Sequence, residues 1–334
     1  MATNKTTIEH EQKHDHAYRA SWHDYKQPAI YLITINTKDR LPILGKLEGE
    51  RIVLSAQGKQ VADEIERIHT YKDASSIQVY RYVVMPNHVH ILLRVHRTLR
   101  HPIGYYISWF KLQCMERCFV PAGIPVASKP PIFGTDYHDR ILTHEGQLEN
   151  MARYIKDNPH RLALKRANPD LFRIRQQTRI GNIPCTVLGN IFLAEHPQRQ
   201  ALHCSRSLTQ EQIETLKTHC LEQASNGTIF ISAAISEGEK QICRALREAH
   251  FPLVVLLEKG FPASDSPHFA YFKPQGVYFE ACSAGKLLLV EPDKETLENP
   301  KVAAQVIAKA GDIPHDTLRY RFLALNVLAE EMCR

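Results

Sequence analysis

Residues 82–92 constrain the fold more than any other part of the chain. They form two apolar runs separated by Met85-Pro86-Asn87, and the second run begins with His88 and His90. Proline and asparagine favour a turn, so the pattern predicts two strands joined by a tight connection. Because side chains alternate between the faces of a strand, both imidazoles must lie on the same face. An isolated His-x-His pair is more often structural than metal-binding, so other residues have to support a site.

Length and composition indicate a soluble protein of two domains. The 334 residues are many for one hydrophobic core, and 43% hydrophobic with 23% charged residues is an ordinary globular composition. The chain has no apolar run of membrane-spanning length and no apolar N-terminal signal, and its eight cysteines show no C-x-x-C spacing. We therefore expect a cytoplasmic protein with reduced thiols and no membrane partner.

Positive charge is concentrated in the first half of the chain. Residues 1–179 contain 27 Lys and Arg against 18 Asp and Glu, a net charge of +9, whereas residues 180–334 contain 15 against 18, a net charge of −3. The first part also holds 12 of the 18 histidines. This imbalance favours a polyanionic partner, most simply nucleic acid, although basicity of this size is also common in proteins without one.

The first half has the pattern of an α+β domain. Apolar patterns predict a short hairpin or an extended connection within residues 44–54, strands at 29–36, 77–85, 88–95 and 137–142, and helices at 55–71, 102–119 and 143–157. This order is typical of a split βαβ sandwich with its helices on one face of an antiparallel sheet. Pro159 is expected to end the third helix, on which Tyr154 and Asn158 are four residues apart and share a face. Taken alone, such a tyrosine is more often a packing residue, and an asparagine before proline is more often a helix stop.

Three segments of the first half resemble the HUH single-tyrosine transposases, and the REP-associated tyrosine transposases in particular. They are residues 82–92 (YVVMPNHVHIL), 133–141 (FGTDYHDRI) and 153–159 (RYIKDNP). The resemblance extends over about residues 25–172. It implies a ferredoxin-like antiparallel sheet and an enzyme that cuts and transfers single DNA strands.

The resemblance also implies a role for each residue of the site. His88 and His90 would bind Mg²⁺ or Mn²⁺ with Asn158 as a further ligand, and Tyr154 would be the nucleophile that forms a 5′-phosphotyrosine link and leaves a free 3′-hydroxyl. Such a donor set leaves positions open for phosphate oxygens, and the cation polarises the scissile phosphate. A phenol has an ordinary pKa of about 10, so its attack at neutral pH needs help from the cation or from a base.

The expected partner is single-stranded or hairpin DNA, held by basic and aromatic side chains. Each candidate for a phosphate contact is, taken alone, more often an ordinary surface charge than a DNA contact. The candidates are Arg94, Arg97, Arg100, Lys111, Arg140 and Arg153. Assembly as a monomer and as a homodimer both stay open.

The second half has the pattern of an α/β domain. Short apolar runs at 201–206, 228–232, 252–257 and 286–290 alternate with helical patterns at 209–225 and 237–250, which predicts βαβ units with a parallel, Rossmann-like sheet. Residues 204–206 (CSR), 232–240 (SAAISEGEK), 256–261 (LLEKGF) and 285–289 (GKLLL) resemble the Rossmann-like core of DprA/Smf DNA-processing proteins, over about residues 180–295. Ala233 and Ala234 stand where that family has a glycine-rich turn, which puts phosphate or DNA binding there in doubt.

The predicted organisation has five parts and leaves two other functions open. A flexible segment (1–27) precedes an HUH transposase-like catalytic domain (28–172), a linker and entry (173–200), a DprA/Smf-like Rossmann domain (201–295) and a helical tail (296–334). One alternative is a non-catalytic single-stranded DNA-binding adaptor with a retired HUH site, which the additional domain motivates. The other is a metallohydrolase, which lacks the additional histidine or carboxylate ligands of strong zinc sites.

Overall fold

The computed structural model describes residues 19–117, 130–263, 274 and 276–334. The chain divides into two compact units, Met1–Leu164 and Lys165–Arg334. None of the described helices is both long enough and apolar enough to cross a membrane. The cysteines in the described ranges all carry free thiols, as the lack of paired spacing predicts. Most of the predicted flexible segment, residues 1–18, lies outside the described residues.

The first unit is built on a four-stranded antiparallel sheet. Its elements, in chain order, are β1 (Ala29–Asn36), β2 (Gly45–Glu48), β3 (Arg51–Leu54), α1 (Ala56–Glu66), β4 (Ile77–Met85), β5 (His88–Val95), α2 (Ile103–Arg117), β6 (His138–Leu142) and α3 (Gln147–Ala167). The strand order in the sheet is β4-β5-β1-β6, and β2 and β3 form a separate hairpin. The predicted strands are confirmed, and residues 44–54 contain a hairpin. Ser55 caps α1, since its side-chain oxygen accepts from the Gly58 amide.

Helices cover both faces of this sheet, whereas the sequence predicts them on one face. Tyr31, Ile33 and Ile35 pack with residues of α1 and α2 in the main core of the unit. The intervening Leu32 packs on the opposite face, with Ile155 of α3. The physical reason is that β1 and β5 are apolar at consecutive positions rather than alternate ones, so that both faces have to be buried.

Helix α3 continues through Pro159, so the prediction that it ends there is wrong. Proline lacks the amide hydrogen that would bond to the carbonyl four residues earlier, which weakens a helix without always ending it. Next to Pro159, the Asn158 side chain donates from Nδ2 to the Tyr154 carbonyl oxygen at 2.7 Å. The residues after the proline, as far as Ala167, remain helical.

The second unit is built on a six-stranded mixed sheet. Its elements are β7 (Arg175–Ile180), β8 (Ile183–Gly189), β9 (Arg199–Ala201), α4 (Gln210–Ser225), β10 (Ile229–Ser232), α5 (Glu237–Glu248), β11 (Leu253–Leu256), α6 (Val277–Ser283), β12 (Leu287–Pro292), α7 (Lys294–Leu297), α8 (Pro300–Ala310) and α9 (Leu318–Glu331). The strand order is β7-β8-β12-β11-β10-β9. Strands β9 to β12 are parallel, as predicted from the β–α alternation.

Two strands of this sheet are antiparallel, which corrects the prediction of a parallel sheet. β8 runs antiparallel to β12, and β7 antiparallel to β8. The turn between β7 and β8 contains Gly181 at φ +57°, and a turn this short can only join antiparallel strands. The predicted linker and entry, residues 173–200, therefore belongs largely to the second sheet.

The first parallel strand is shorter and earlier than its apolar pattern suggests. β9 ends at Ala201, and the residues predicted to continue it as far as 206 form a loop that leads to α4. The predicted helical tail, residues 296–334, contributes Val302, Val306, Leu325 and Leu328 to the main core of the second unit. These helices are therefore part of the packed unit.

Candidate functional site

The two histidines project side by side from the start of β5. Their ring centroids are 4.8 Å apart with an angle of 79° between the ring planes. The neighbouring residues Val89 and Ile91 face the main core, so alternation places both imidazoles on the opposite face of the sheet. His90 is 6% exposed. Both rings are oriented by oxygen atoms, since His88 Nδ1 lies 2.8 Å from Asn87 Oδ1 and His90 Nδ1 lies 2.8 Å from Thr34 Oγ1.

Helix α3 brings Tyr154 to this pair. The Tyr154 ring lies 5.5 Å from the His90 ring, centroid to centroid, with an interplanar angle of 64°. The adjacent residue Ile155 is fully buried against Leu32 and Leu92 of the sheet and so anchors the helix over this face. Residues far apart in sequence thus form one cluster on the face of the sheet opposite the main core.

Asn158 lies one turn after Tyr154 on α3. It is 5% exposed, and its Nδ2 donates to the backbone carbonyl oxygen of Tyr154 at 2.7 Å. Burial raises the pKa of Tyr154 above its ordinary value, while the Arg161 guanidinium and, to a smaller extent, the Asn158 side chain act in the opposite direction. The Arg161 guanidinium carbon lies 5.6 Å from the centroid of the Tyr154 ring. The phenol is thus neutral at neutral pH, and the guanidinium close to its ring favours the phenolate.

Sequence reasoning missed three residues of this cluster, Thr34, Asn87 and Arg161. Thr34 is opposite His90 in the pairing of β1 with β5, a register that the sequence does not specify in advance. Asn87 was assigned only to the turn, although it directly precedes His88. Arg161 follows Pro159, where the helix was expected to end. If the helical periodicity is continued past Pro159, Arg161 falls near Tyr154.

The six candidate DNA-binding residues fall into different environments. By alternation along β5 and β6, Arg94 and Arg140 lie on the same face of the sheet as the histidine pair, and both are exposed. Arg97 and Arg153 are also exposed. Arg100 lies 3.3 Å from the carboxylate of Asp73.

Lys111 differs from the other candidates because its ammonium group holds a loop. It donates to the carbonyl oxygens of Gly134, Thr135 and Asp136 at 3.0, 2.6 and 3.0 Å. These three bonds use the three hydrogens of an ammonium group. Lys111 therefore stabilises the segment that leads into β6.

The donor set of the cluster suits a hard divalent cation with open coordination positions. Within the described ranges of the chain, no group of three or more His, Cys, Asp or Glu side chains could hold a metal ion. A cation at His88 and His90 would therefore take its remaining ligands from amide oxygens, water or a substrate phosphate, as Mg²⁺ and Mn²⁺ do. The buried carboxamide of Asn158, one turn after Tyr154 on α3, has an oxygen of this kind, since its Nδ2 is used by the Tyr154 carbonyl.

In the second unit, the turn where phosphate binding was in doubt is occupied by a carboxylate of the chain itself. Glu239 Oε2 accepts the backbone amides of Ile235 and Ser236 at 2.7 and 3.3 Å, and Oε1 accepts that of Cys204 at 3.2 Å. The amides of Ile235 and Ser236 lie at the N-terminus of α5, where a bound phosphate would otherwise accept their hydrogen bonds, and the amide of Cys204 lies in the loop after β9. Ala234, in the same turn, has φ +50°. The turn is therefore already filled by an internal anion.

Comparisons with known proteins find two transposases among the solved structures that match this chain. No family model and no curated protein matches the sequence, whereas ten solved chains match the structure. One is a REP-associated tyrosine transposase bound to a REP hairpin, with 14% identity, a TM-score of 0.32, and coverage of 43% of this chain and 74% of that chain. Another is described as a candidate transposase from Deinococcus radiodurans R1, with 20% identity, a TM-score of 0.27, and coverage of 42% of this chain and 95% of that one. Because both identities and TM-scores are low, function has to be argued from the residues of this chain.

Proposed function

We propose that the first unit cleaves single-stranded DNA and transfers the strand through a covalent 5′-phosphotyrosine intermediate on Tyr154, in the manner of a transposase. The observation that carries the proposal is the placement of the Tyr154 ring 5.5 Å from His90, which itself lies 4.8 Å from His88. A nucleophile beside an imidazole pair, with a buried carboxamide one turn along the same helix, supplies groups that phosphoryl transfer through a tyrosine can use.

The covalent step is an in-line displacement at phosphorus. The phenolic oxygen of Tyr154 forms a bond to the phosphorus, the bond from phosphorus to the 3′-oxygen breaks, and the phenolic proton passes to solvent. The departing 3′-oxygen takes up a proton and becomes a free hydroxyl. The Arg161 guanidinium, 5.6 Å from the Tyr154 ring centroid, favours the phenolate by its charge. Because one phosphoester replaces another, a 3′-hydroxyl can reverse the step and rejoin strands.

The chain's donors fit Mg²⁺ or Mn²⁺ as the cofactor. His88 and His90 would hold the ion, and the carboxamide oxygen of Asn158 is the proposed third protein ligand. When bound, such a cation supplies Lewis-acid polarisation of the scissile phosphate. The remaining contributions come from the protein, which positions Tyr154 on α3 and buries the His90 side of the site.

The proposed cofactor requirement is tested with the purified full chain and short single-stranded oligonucleotides labelled at both ends, because the covalent adduct keeps the 3′ fragment whereas the 5′ fragment is released with a free 3′-hydroxyl. We expect cleavage and a covalent protein–DNA adduct that survives SDS gel electrophoresis, only with Mg²⁺ or Mn²⁺ present, and loss of both with EDTA. His88→Ala and His90→Ala should each remove the metal-dependent cleavage, because a single imidazole binds such a cation weakly. His101→Ala, at another histidine of the same unit, is the control. Metal-dependent DNA binding without any cleavage would instead favour the non-catalytic adaptor.

The proposed DNA-binding surface includes Arg94 and Arg140, the exposed arginines on the same face of the sheet as the histidine pair. Arg140→Ala should weaken binding of a single strand and reduce the slope of log K against log salt by about 0.7, the value for one phosphate contact on single-stranded DNA. Lys111→Met should leave that slope unchanged, because the Lys111 ammonium is used by three carbonyl groups. Fluorescence anisotropy at several salt concentrations measures both slopes. Equal slopes for Arg140→Ala and the unmodified protein would show that Arg140 does not contact a DNA phosphate.

We also propose a fold type for each unit, and the oligomeric state stays open. The strand order β4-β5-β1-β6 with α1, α2 and α3 supports a ferredoxin-like first unit. The parallel strands β9 to β12 with intervening helices support a Rossmann-like accessory unit of the DprA/Smf kind. A cytoplasmic location and a homodimer stay predictions; light scattering on the full chain measures the assembly.

A further inference from the structure

Both imidazoles of the proposed cation site are held through the same ring nitrogen. His88 Nδ1 lies 2.8 Å from the side-chain oxygen of Asn87, and His90 Nδ1 lies 2.8 Å from the hydroxyl of Thr34. A carboxamide oxygen accepts hydrogen bonds and never donates them, so the proton of this bond has to be on His88 Nδ1. In a neutral imidazole with Nδ1 protonated, Nε2 carries the lone pair.

Hydrogen bonds hold the backbone at Asn87 in place, which limits the positions that its side chain can take. The Asn87 carbonyl oxygen accepts the Thr37 amide at 2.9 Å and the Thr37 hydroxyl at 3.0 Å. Thr37 is itself buried. The turn that carries Asn87 is thereby attached to the end of β1, and the His88 ring is oriented by a residue that has little freedom to move.

Thr34 acts on His90 from the neighbouring strand. The two residues are directly opposite in the pairing of β1 with β5, so their side chains lie on the same face. His90 is 6% exposed, so the Thr34 hydroxyl takes the place that water has beside an exposed imidazole. A hydroxyl is able to accept from a protonated Nδ1 as well as to donate to an unprotonated one.

We propose that Asn87 and Thr34 are positioning residues that hold His88 and His90 in the Nδ1–H tautomer, so that two Nε2 lone pairs are presented together to a divalent cation. This inference rests on the proposed function, because it concerns the ligands of the same site. Partners of this kind orient metal-binding imidazoles, and their loss typically lowers metal affinity 10–100-fold. Neither residue needs to contact the metal or the DNA.

The tautomers are measured first, on metal-free protein labelled with ¹⁵N in its histidines. Long-range ¹H–¹⁵N correlation spectra at about pH 8, above the ordinary imidazole pKa, distinguish Nδ1–H from Nε2–H, and His88→Gln and His90→Gln assign the two rings. We expect both rings as Nδ1–H. Thr34→Val removes the hydroxyl at nearly constant volume and should shift His90 toward Nε2–H, whereas Thr34→Ser should restore Nδ1–H. Asn87→Ala should shift His88, and Asn87→Asp, which keeps an acceptor oxygen, should not.

Cation affinity is then measured on the same variants by Mn²⁺ electron paramagnetic resonance. Thr34→Val and Asn87→Ala should weaken Mn²⁺ binding by about 10–100-fold, with rescue by Thr34→Ser. Thr98→Val, at an exposed threonine of the same unit, is the control and should change neither reading. Unchanged circular dichroism spectra establish that the variants are folded.

The outcomes separate this inference from the function on which it rests. Either ring as Nε2–H in the unmodified protein would overturn the positioning assignment, as would a Thr34→Val protein with unchanged tautomer and Mn²⁺ affinity. Both rings as Nδ1–H, with the expected shifts in the variants but no Mn²⁺ binding by the unmodified protein, would overturn the proposed metal-dependent function. Asn87 and Thr34 would then still orient the two imidazoles, although the site binds no cation.

Discussion

Tyr154→Phe should abolish the covalent protein–DNA adduct and lower strand cleavage by roughly 10³-fold or more, because it removes the proposed nucleophile of a covalent mechanism. The substitution deletes one oxygen and keeps the ring that packs 5.5 Å from His90. The fold and the affinity for single-stranded DNA should therefore change little. The adduct is measured on SDS gels with labelled oligonucleotide, and the affinity by fluorescence anisotropy.

The matched control for this variant is Tyr105→Phe. Tyr105 is an exposed tyrosine of α2 in the same unit, and its substitution removes the same hydroxyl from a residue outside the cluster. It should leave cleavage and adduct at the level of the unmodified protein. A Tyr154→Phe protein that still forms a covalent adduct would exclude Tyr154 as the nucleophile.

Burial and positioning oppose each other at Tyr154. Placing the phenol beside His90 requires burying it, and burial raises the pKa of Tyr154, which disfavours the nucleophilic phenolate. Arg161 and Asn158 both act in the other direction, and both are within two turns of Tyr154 on α3. The continuation of α3 past Pro159 is what places Arg161 there, so this part of the helix contributes to the proposed chemistry.

The part of the fold that the sequence predicts well depends on local patterns. Strands β1, β4 and β5 are apolar and rich in β-branched residues, and the Met-Pro-Asn turn between β4 and β5 marks where one ends and the other begins. Their alternation also predicts that His88 and His90 share a face. These properties depend on neighbouring residues alone, so that no knowledge of the tertiary structure is needed.

The parts that were missed depend on tertiary contacts or on weak local signals. The pairing of Thr34 with His90 is a register between strands more than 50 residues apart, and many registers bury the same apolar residues. The hairpin β7–β8 has the signal Gly181-Asn182 between two runs, but the first run is polar and basic and does not look like a strand. The three carbonyl contacts of Lys111 come from a loop whose path no local pattern specifies.

The second unit should lose much of its stability when the carboxylate of Glu239 is removed. Glu239 is 2% exposed and accepts three backbone amides, those of Cys204, Ile235 and Ser236. Glu239→Ala leaves these donors buried without an acceptor, and each unsatisfied buried donor costs about 1–3 kcal/mol. Since water can enter part of the space left by the side chain, we expect a loss of about 2–4 kcal/mol in the free energy of unfolding rather than the full sum.

Glu237→Ala is the matched control for this loss, because Glu237 is an exposed carboxylate in the first turn of the same helix. Its removal should cost about 0.3–1 kcal/mol through the helix dipole alone. Urea unfolding, followed by circular dichroism and by a second probe that reports on the second unit, measures both variants. If the turn is an anion site filled from within, sulfate or phosphate should also stabilise Glu239→Ala more than Glu237→Ala, because an added anion can accept the amides that the missing carboxylate leaves. Equal stability of the two variants would contradict a structural role for the buried carboxylate and reopen the turn as a site for substrate phosphate.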